Sequence, residues 1–247
     1  MERSSFEKKG YIKGSLTDFN LDIDEAFAIS KAYIEKLVTS TELEGRDINY
    51  SSGEINSFHA LHKCDELMAL YYKSGLIEKI GDLLGKEVEI RGAELFAKPA
   101  YVGLASPWHQ DNFYWCLEEG HAVTVWIAYT SVGPVNGGLS YLVESHKLGT
   151  LNHEDSNAPG SSQTVVRSLL DKVLLSHDQI THHLSKGEFL IHHSNMIHGS
   201  GNNESAFPRT ALTIQVKAKK DRYDPKKLEF YNKRLNEQIE KRKGGLK

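Results

Sequence analysis

Apolar residues recur at helical spacing in two stretches of the first third of the chain. Residues 22–39 (DIDEAFAISKAYIEKLVT) put Phe27, Ile34 and Leu37 or Val38 on one face, with Asp22 or Asp24 placed to cap the first turn. A second helical stretch covers 64–84, with Gly75 as a break and Gly85 as its end. After Gly85 the period changes to two. Residues 87–97 alternate polar and apolar, as a half-buried strand does, and 122–129 (AVTVWIAY) gathers the β-branched and aromatic residues that fill a pleated surface. A strand over 138–143 follows the turn-forming run GPVNGG, and further short strands are expected at 172–176, 187–192 and 209–218. Residues 147–164 (KLGTLNHEDSNAPGSSQT) are polar and turn-rich and read as a long surface loop, of the kind that serves as a lid or is disordered. Many short strands after a helical section predict a mainly β protein with flanking helices, a barrel or jelly roll buttressed on one side.

Composition narrows the class. With 247 residues, 39% hydrophobic and 26% charged, 20 Gly and 6 Pro, the chain is unlike a disordered, collagenous or coiled-coil sequence. One domain over 1–247 is expected: 1–86 as mainly helical support, 87–218 as the β-barrel core and 219–247 as a basic C-terminal helix or tail. No apolar run approaches the roughly 20 residues of a membrane helix, and MERSSFEKKG lacks the apolar core of a signal peptide. Two cysteines, Cys64 and Cys116, make no disulfide framework, so a cytoplasmic location is expected and no membrane partner. The net charge of -3 is unevenly spread: from Lys217 onward there are twelve Lys/Arg against five Asp/Glu. Leu228, Tyr231, Leu235 and Ile239 stand there at helical spacing among both signs of charge, which reads as a solvated helix. The aromatic interleaving of a nucleic-acid binder is missing, so no nucleic-acid partner is expected. Nothing in the pattern speaks to oligomeric state.

The residues that carry chemistry lie in two places. In SPWHQDNFYW, His109 and Asp111 are two apart, so on extended backbone both side chains face the same way and can offer a nitrogen and an oxygen to one metal ion. A second His-x-Asp, His153-Glu154-Asp155, lies in the polar stretch, where nothing in the sequence fixes it on a rigid element. A second histidine from a late strand completes a two-His, one-carboxylate set, the donor set of non-haem Fe(II) oxygenases. The segment GEFLIHHSNMIHGSGNN offers His192, His193 and His198 for it. Arg209, eleven residues beyond His198, opens the alternating run RTALTIQVKA, where its guanidinium fork can hold a carboxylate, with Ser200 as a second donor.

Taken in order, HQD, NGGLSYLVESHKLG, HGSGNN and Arg209 resemble the phytanoyl-CoA dioxygenase family of Fe(II)/2-oxoglutarate-dependent oxygenases, over roughly 98–216. The resemblance implies a double-stranded β-helix, a cupin-like jelly roll. It implies His109, Asp111 and His198 as ligands of Fe(II), with 2-oxoglutarate and O2 as cosubstrates. It implies Arg209 and Ser200 on the distal carboxylate of 2-oxoglutarate, with Gln110, Trp126 and Lys98 lining its pocket. Phe113, Tyr114, Trp115 and His146 are expected at the substrate pocket, and the iron centre is the only catalytic group expected. One departure stands out: the family's Pro-Gly-Ser-His turn is Val143-Glu144-Ser145-His146 here. The expected reaction is hydroxylation of a C–H bond of a small-molecule substrate with release of succinate and CO2. The alternatives are an acyl-CoA thioester as substrate, or a non-catalytic cupin-like binding module.

Overall fold

A computed structural model describes residues 1–40, 47–51, 53–156, 158 and 162–244. In chain order, α1 (Arg3–Lys9) and β1 (Tyr11–Ser15) precede α2 (Ile23–Val38), β2 (Ile48–Ser51) and β3 (Glu54–Phe58). Then come α3 (Asp65–Lys73), α4 (Leu76–Leu84), β4 (Val88–Lys98), β5 (Ser106–His109), α5 (Asp111–Trp115), β6 (Ala122–Ala128) and β7 (Leu139–Leu142). The last part holds β8 (His153–Asp155), β9 (Gln163–Val165), α6 (Arg167–Ser176), β10 (Gln179–Thr181), β11 (Glu188–His193), β12 (His198–Ser200), β13 (Arg209–Ala218) and α7 (Pro225–Gly244).

The strands form an antiparallel seven-stranded sheet, β1-β11-β6-β13-β4-β3-β2, and a four-stranded sheet, β10-β7-β12-β5, with β8 and β9 as a separate hairpin. Burial on both faces of the large sheet explains its central strands. On β6, Val123, Val125 and Ile127 face outward into a core that holds Leu212, Ile214 and Val216 of β13. Ala26 and Ile34 of α2, Leu67 and Tyr71 of α3, and Leu76 and Ile80 of α4 fill that core from the helical side. The alternate positions, Trp126, Ala128 and Ala211, point inward and pack with Leu139, Tyr141, Leu190 and Met196. The result is a jelly roll backed by helices on one face, as the alternation of the sequence implies. A chain whose sheet is covered in this way can keep its inward residues for a cavity.

Several elements differ from expectation. Residues 172–176, expected as a strand, lie in α6, where Leu170 and Val173 pack against Leu142, Val165 and Ile197. A short apolar run does not by itself distinguish a strand from one turn of a buried helix. The stretch 147–164 holds the end of a 3-10 turn and the β8–β9 hairpin; residues 157 and 159–161 lie outside the described residues. The first 86 residues are not only helical support, since β1 adds to β11 and β3 to β4. The break at Gly75 is real: it adopts φ 78° between α3 and α4, a left-handed conformation open to glycine. Leu228, Tyr231, Leu235 and Ile239, expected at helical spacing, lie within α7. Among the described residues no helix is long and apolar enough to cross a membrane.

Candidate active site

Strand register brings the candidate metal-ligating residues together. β12 pairs with β5 so that His198 lies directly opposite His109, and their ring centroids are 4.1 Å apart. β5 ends at His109 and Asp111 opens α5, so the two do not share a strand as expected. Gln110 between them is nevertheless extended (φ -126°, ψ 133°), and the two side chains still converge. Asp111 Oδ1 lies 4.0 Å from His109 Nε2 and 3.7 Å from His198 Nε2. Among the described residues these three make the one grouping able to hold a metal, with ligand atoms within 4.8 Å of one another.

Each of the three side chains is oriented from behind. His109 Nδ1 donates to Pro107 O at 2.7 Å, and His198 Nδ1 donates to Met196 O at 3.0 Å. Those bonds set the tautomer and leave both Nε2 lone pairs toward Asp111 Oδ1. Burial above all pushes both imidazoles down to about 4, so they are neutral at physiological pH, the state in which imidazole binds a metal. Burial opposes ionisation of Asp111, yet the surrounding imidazoles of His198, His192 and His109 hold its carboxyl well below the usual carboxylate range. Its Oδ2 accepts hydrogen bonds from Thr124 Oγ1 and, at 3.2 Å, from His192 Nε2. His192 Nδ1 in turn accepts from the Tyr141 hydroxyl at 2.8 Å. One carboxylate oxygen is thus tied back and the other is presented. Two neutral imidazoles and a carboxylate fit Fe(II).

The grouping opens into a cavity between the sheets. At one end of it stand Lys98, Trp126, Ser200 and Arg209. Arg209 is 4% exposed; its guanidinium lies 5.3 Å from the Trp126 ring and Nη2 donates to Gly137 O at 3.2 Å. Gly137 adopts φ 79°, and a Cβ there would sit 2.6 Å from Lys98 Cδ, so the turn that receives Arg209 requires glycine. Arg209 Nε is buried without a partner among the described residues. An unpaired buried donor of this kind is costly unless a ligand oxygen completes it. Burial lowers the Arg209 pKa to about 9, and burial together with Arg209 lowers that of Lys98 to about 7. Two confined cations and an unpaired N–H fit a dicarboxylate such as 2-oxoglutarate.

Not every expected residue reaches this cavity. Gln110 is fully buried but faces the other way: its amide nitrogen donates to Gly149 O and Asn195 O, and its oxygen accepts from Leu151 N. It ties loops together and does not line the cavity; both of its amide hydrogens are spent there. Phe113 stacks on His153 at 4.0 Å, Tyr114 meets His109 edge-on at 5.8 Å, and Trp115 is buried beneath the Arg91 guanidinium. His146 lies 5.4 Å from His193, with Nε2 donating to Glu7 O. None of these four lines the cavity. His153 is fixed in β8, contrary to the loop expected there; its Nε2 accepts from Gln110 N, while Asp155 pairs with Arg234 at 2.7 Å. Sequence reasoning passed over Thr124 and Glu94. Counting inward by twos from Trp126 and from Lys98 would have found both.

A jelly roll carrying two histidines, a carboxylate and a buried arginine in one cavity defines a non-haem iron oxygenase that uses a 2-oxo acid. The phytanoyl-CoA dioxygenase (PhyH) profile matches residues 28–211, and the chain belongs to that family of Fe(II)/2-oxoglutarate-dependent dioxygenases. It is 27% identical to ectoine dioxygenase of Streptomyces avermitilis over 77% of this chain and 70% of that protein. It is 30% identical to L-proline trans-4-hydroxylase of Streptomyces griseoviridis over 66% of this chain and 67% of that protein. The crystal structure of EctD from S. alaskensis with bound Fe aligns with TM-score 0.70 at 25% identity, covering 90% of this chain and 77% of that one.

Proposed function

We propose that the protein hydroxylates a C–H bond of a small-molecule substrate, coupled to conversion of 2-oxoglutarate and O2 into succinate and CO2. One observation carries this reading: the His109, Asp111 and His198 grouping shares a cavity with the buried, partly unpaired guanidinium of Arg209. A binding module has no need of the second feature. In this reading His109, Asp111 and His198 hold Fe(II), Arg209 and Ser200 take the distal carboxylate of 2-oxoglutarate, and Trp126 and Lys98 wall that end. Bound there, iron and 2-oxoglutarate supply O2 activation, with the oxo acid decarboxylated and a substrate C–H converted to an alcohol.

The chain's own residues supply geometry and exclusion of water. Thr124 and His192 hold the back of Asp111, so its free oxygen keeps one direction. The Trp126 face confines Arg209, and Leu139 closes the wall beside it. Relatives named for ectoine and L-proline act on small molecules, and a cavity enclosed between the two sheets suits a ligand of that class.

The test is spectroscopic. Fe(II) and then 2-oxoglutarate are added to metal-free protein without oxygen. A weak visible absorption band that requires both additions and is absent in Asp111→Ala is expected. A folded, metal-binding protein that shows no band would overturn the reading.

A further inference from the structure

The cavity has a second polar end that neither the metal grouping nor the Arg209 end uses. Inward positions of β4 run from Lys98 through Phe96 to Glu94, about 13 Å along the strand. On the neighbouring strand the inward series runs from Arg209 to Thr213, opposite Glu94, and on to Gln215. The cationic end of the cavity therefore gives way along the strands to an acidic, amide-rich end, where Gln215 lies opposite Thr124, the residue that bonds Asp111 of the metal grouping.

Glu94 is held in place without being used up. Its Oε1 lies 3.0 Å from His59 Nδ1, and His59 Nε2 is held by Ser57 Oγ at 2.8 Å and Asn49 Nδ2 at 3.2 Å. In either protonation state His59 donates from Nδ1 and leaves Oε2 of Glu94 open. That oxygen takes no hydrogen bond from any described residue, although the side chain is only 23% exposed. Gln215 is oriented as firmly: its Oε1 accepts from Arg91 Nη1 at 2.5 Å, which leaves its Nε2 as a donor at the cavity wall. Asn56 completes this end.

We propose that this end is the substrate-recognition subsite and that it takes a small protonated amine bearing a hydrogen-bond acceptor. The ammonium or iminium pairs with Glu94, and the acceptor receives the Gln215 amide N–H. The proposal rests on the oxygenase reading above and adds its substrate class. Its physical basis is asymmetric: an anion or a molecule without a donor strips water from the Glu94 carboxylate and returns nothing, a neutral donor returns one hydrogen bond, and an ammonium returns a hydrogen bond together with its charge.

The probes are L-prolinamide, L-lysinamide and 5-aminopentanamide, each compared with its fully N-acetylated, uncharged form. Binding is read on protein loaded with Fe(II) and 2-oxoglutarate without oxygen, from the shift of the visible band and of the melting temperature. At least one amine is expected to bind, at least tenfold more tightly than its acetylated form. In Glu94→Gln that binding falls at least tenfold, while the band itself and the melting temperature of the unliganded protein stay as in the wild type. Glu94→Asp, which keeps the charge, weakens binding but retains the preference for amines. Acetylated probes that bind as well as the amines, unchanged binding in Glu94→Gln, or no amine binding with the band intact would each overturn the proposal. Loss of the band in the wild-type protein strikes the oxygenase reading instead.

Discussion

Lys98 shows how one side chain acquires a property its residue type lacks. Burial and the nearby Arg209 lower its pKa to about 7, and its ammonium donates to Leu104 O. In the ligand-free protein the charge is present below about pH 7 and lost above it. A dicarboxylate binds the charged form better, so affinity for 2-oxoglutarate should fall as pH rises from 6 to 8.5. Titrating the visible band across that range should show the slope, and Lys98→Met should bind more weakly at pH 6 with a flat profile. At this scale the sequence was informative where spacing alone decides direction. His109 and Asp111 are two apart and converge on extended backbone. His192 stood among the candidate histidines and Glu94 lies on the inward face of β4, but what each one pairs with, Asp111 and His59, was not legible, because those partners are distant in sequence.

The β8–β9 hairpin depends on an element far along the chain. Arg234 of α7 donates from Nη1 to His153 O at 2.9 Å and from Nη2 to Asp155 Oδ1 at 2.7 Å. Gln238 Nε2 adds bonds to Ser156 O and Ser162 O, and Tyr231 meets Phe113 edge-on. The basic helix is thus partly a clasp on the hairpin. Since Asp155 is partly exposed, the Arg234 contacts are worth about 1 kcal/mol after solvent screening. Arg234→Ala should therefore speed amide exchange of residues 153–155 and 163–165 roughly fivefold, with little change in the central sheet. Exchange unaltered in the hairpin would show that α7 does not hold it. The polar composition of 147–164 concealed this hairpin, because its contacts with Arg234 and Gln238 of α7 and the burial of Val165 against α6 are made by residues distant in sequence or beyond the polar run.

For the molecule as a whole, the site exists only when both sheets are assembled. β5 and β12 of the small sheet carry the histidines, whereas Thr124, Trp126, Glu94 and Arg209 stand on β6, β4 and β13 of the large one. Ligands that bridge the sheets bind the folded state and not the unfolded chain. At a hundredfold excess over its dissociation constant, one such ligand adds about 2.7 kcal/mol, a rise of roughly 5–10 °C in melting temperature for a chain of this size. Fe(II) with 2-oxoglutarate, added without oxygen, should raise the melting temperature by about that much. Asp111→Ala should lose most of the rise.

By itself the sequence determined the alternation that makes β4, β6 and β13 two-faced, the pairing of His109 with Asp111, and the late histidine and arginine at family spacing. These are local properties, set by a period of two residues or by order along the chain. Tertiary structure decided how His198 and His192 share Asp111, His198 facing Oδ1 through the register of β12 against β5 and His192 bonding Oδ2 from β11. It also decided that Gln110 turns away from the cavity and that His59 tethers the inward-facing Glu94. A side chain's partner is chosen by how two sheets and their covering helices pack, and no local pattern encodes that choice.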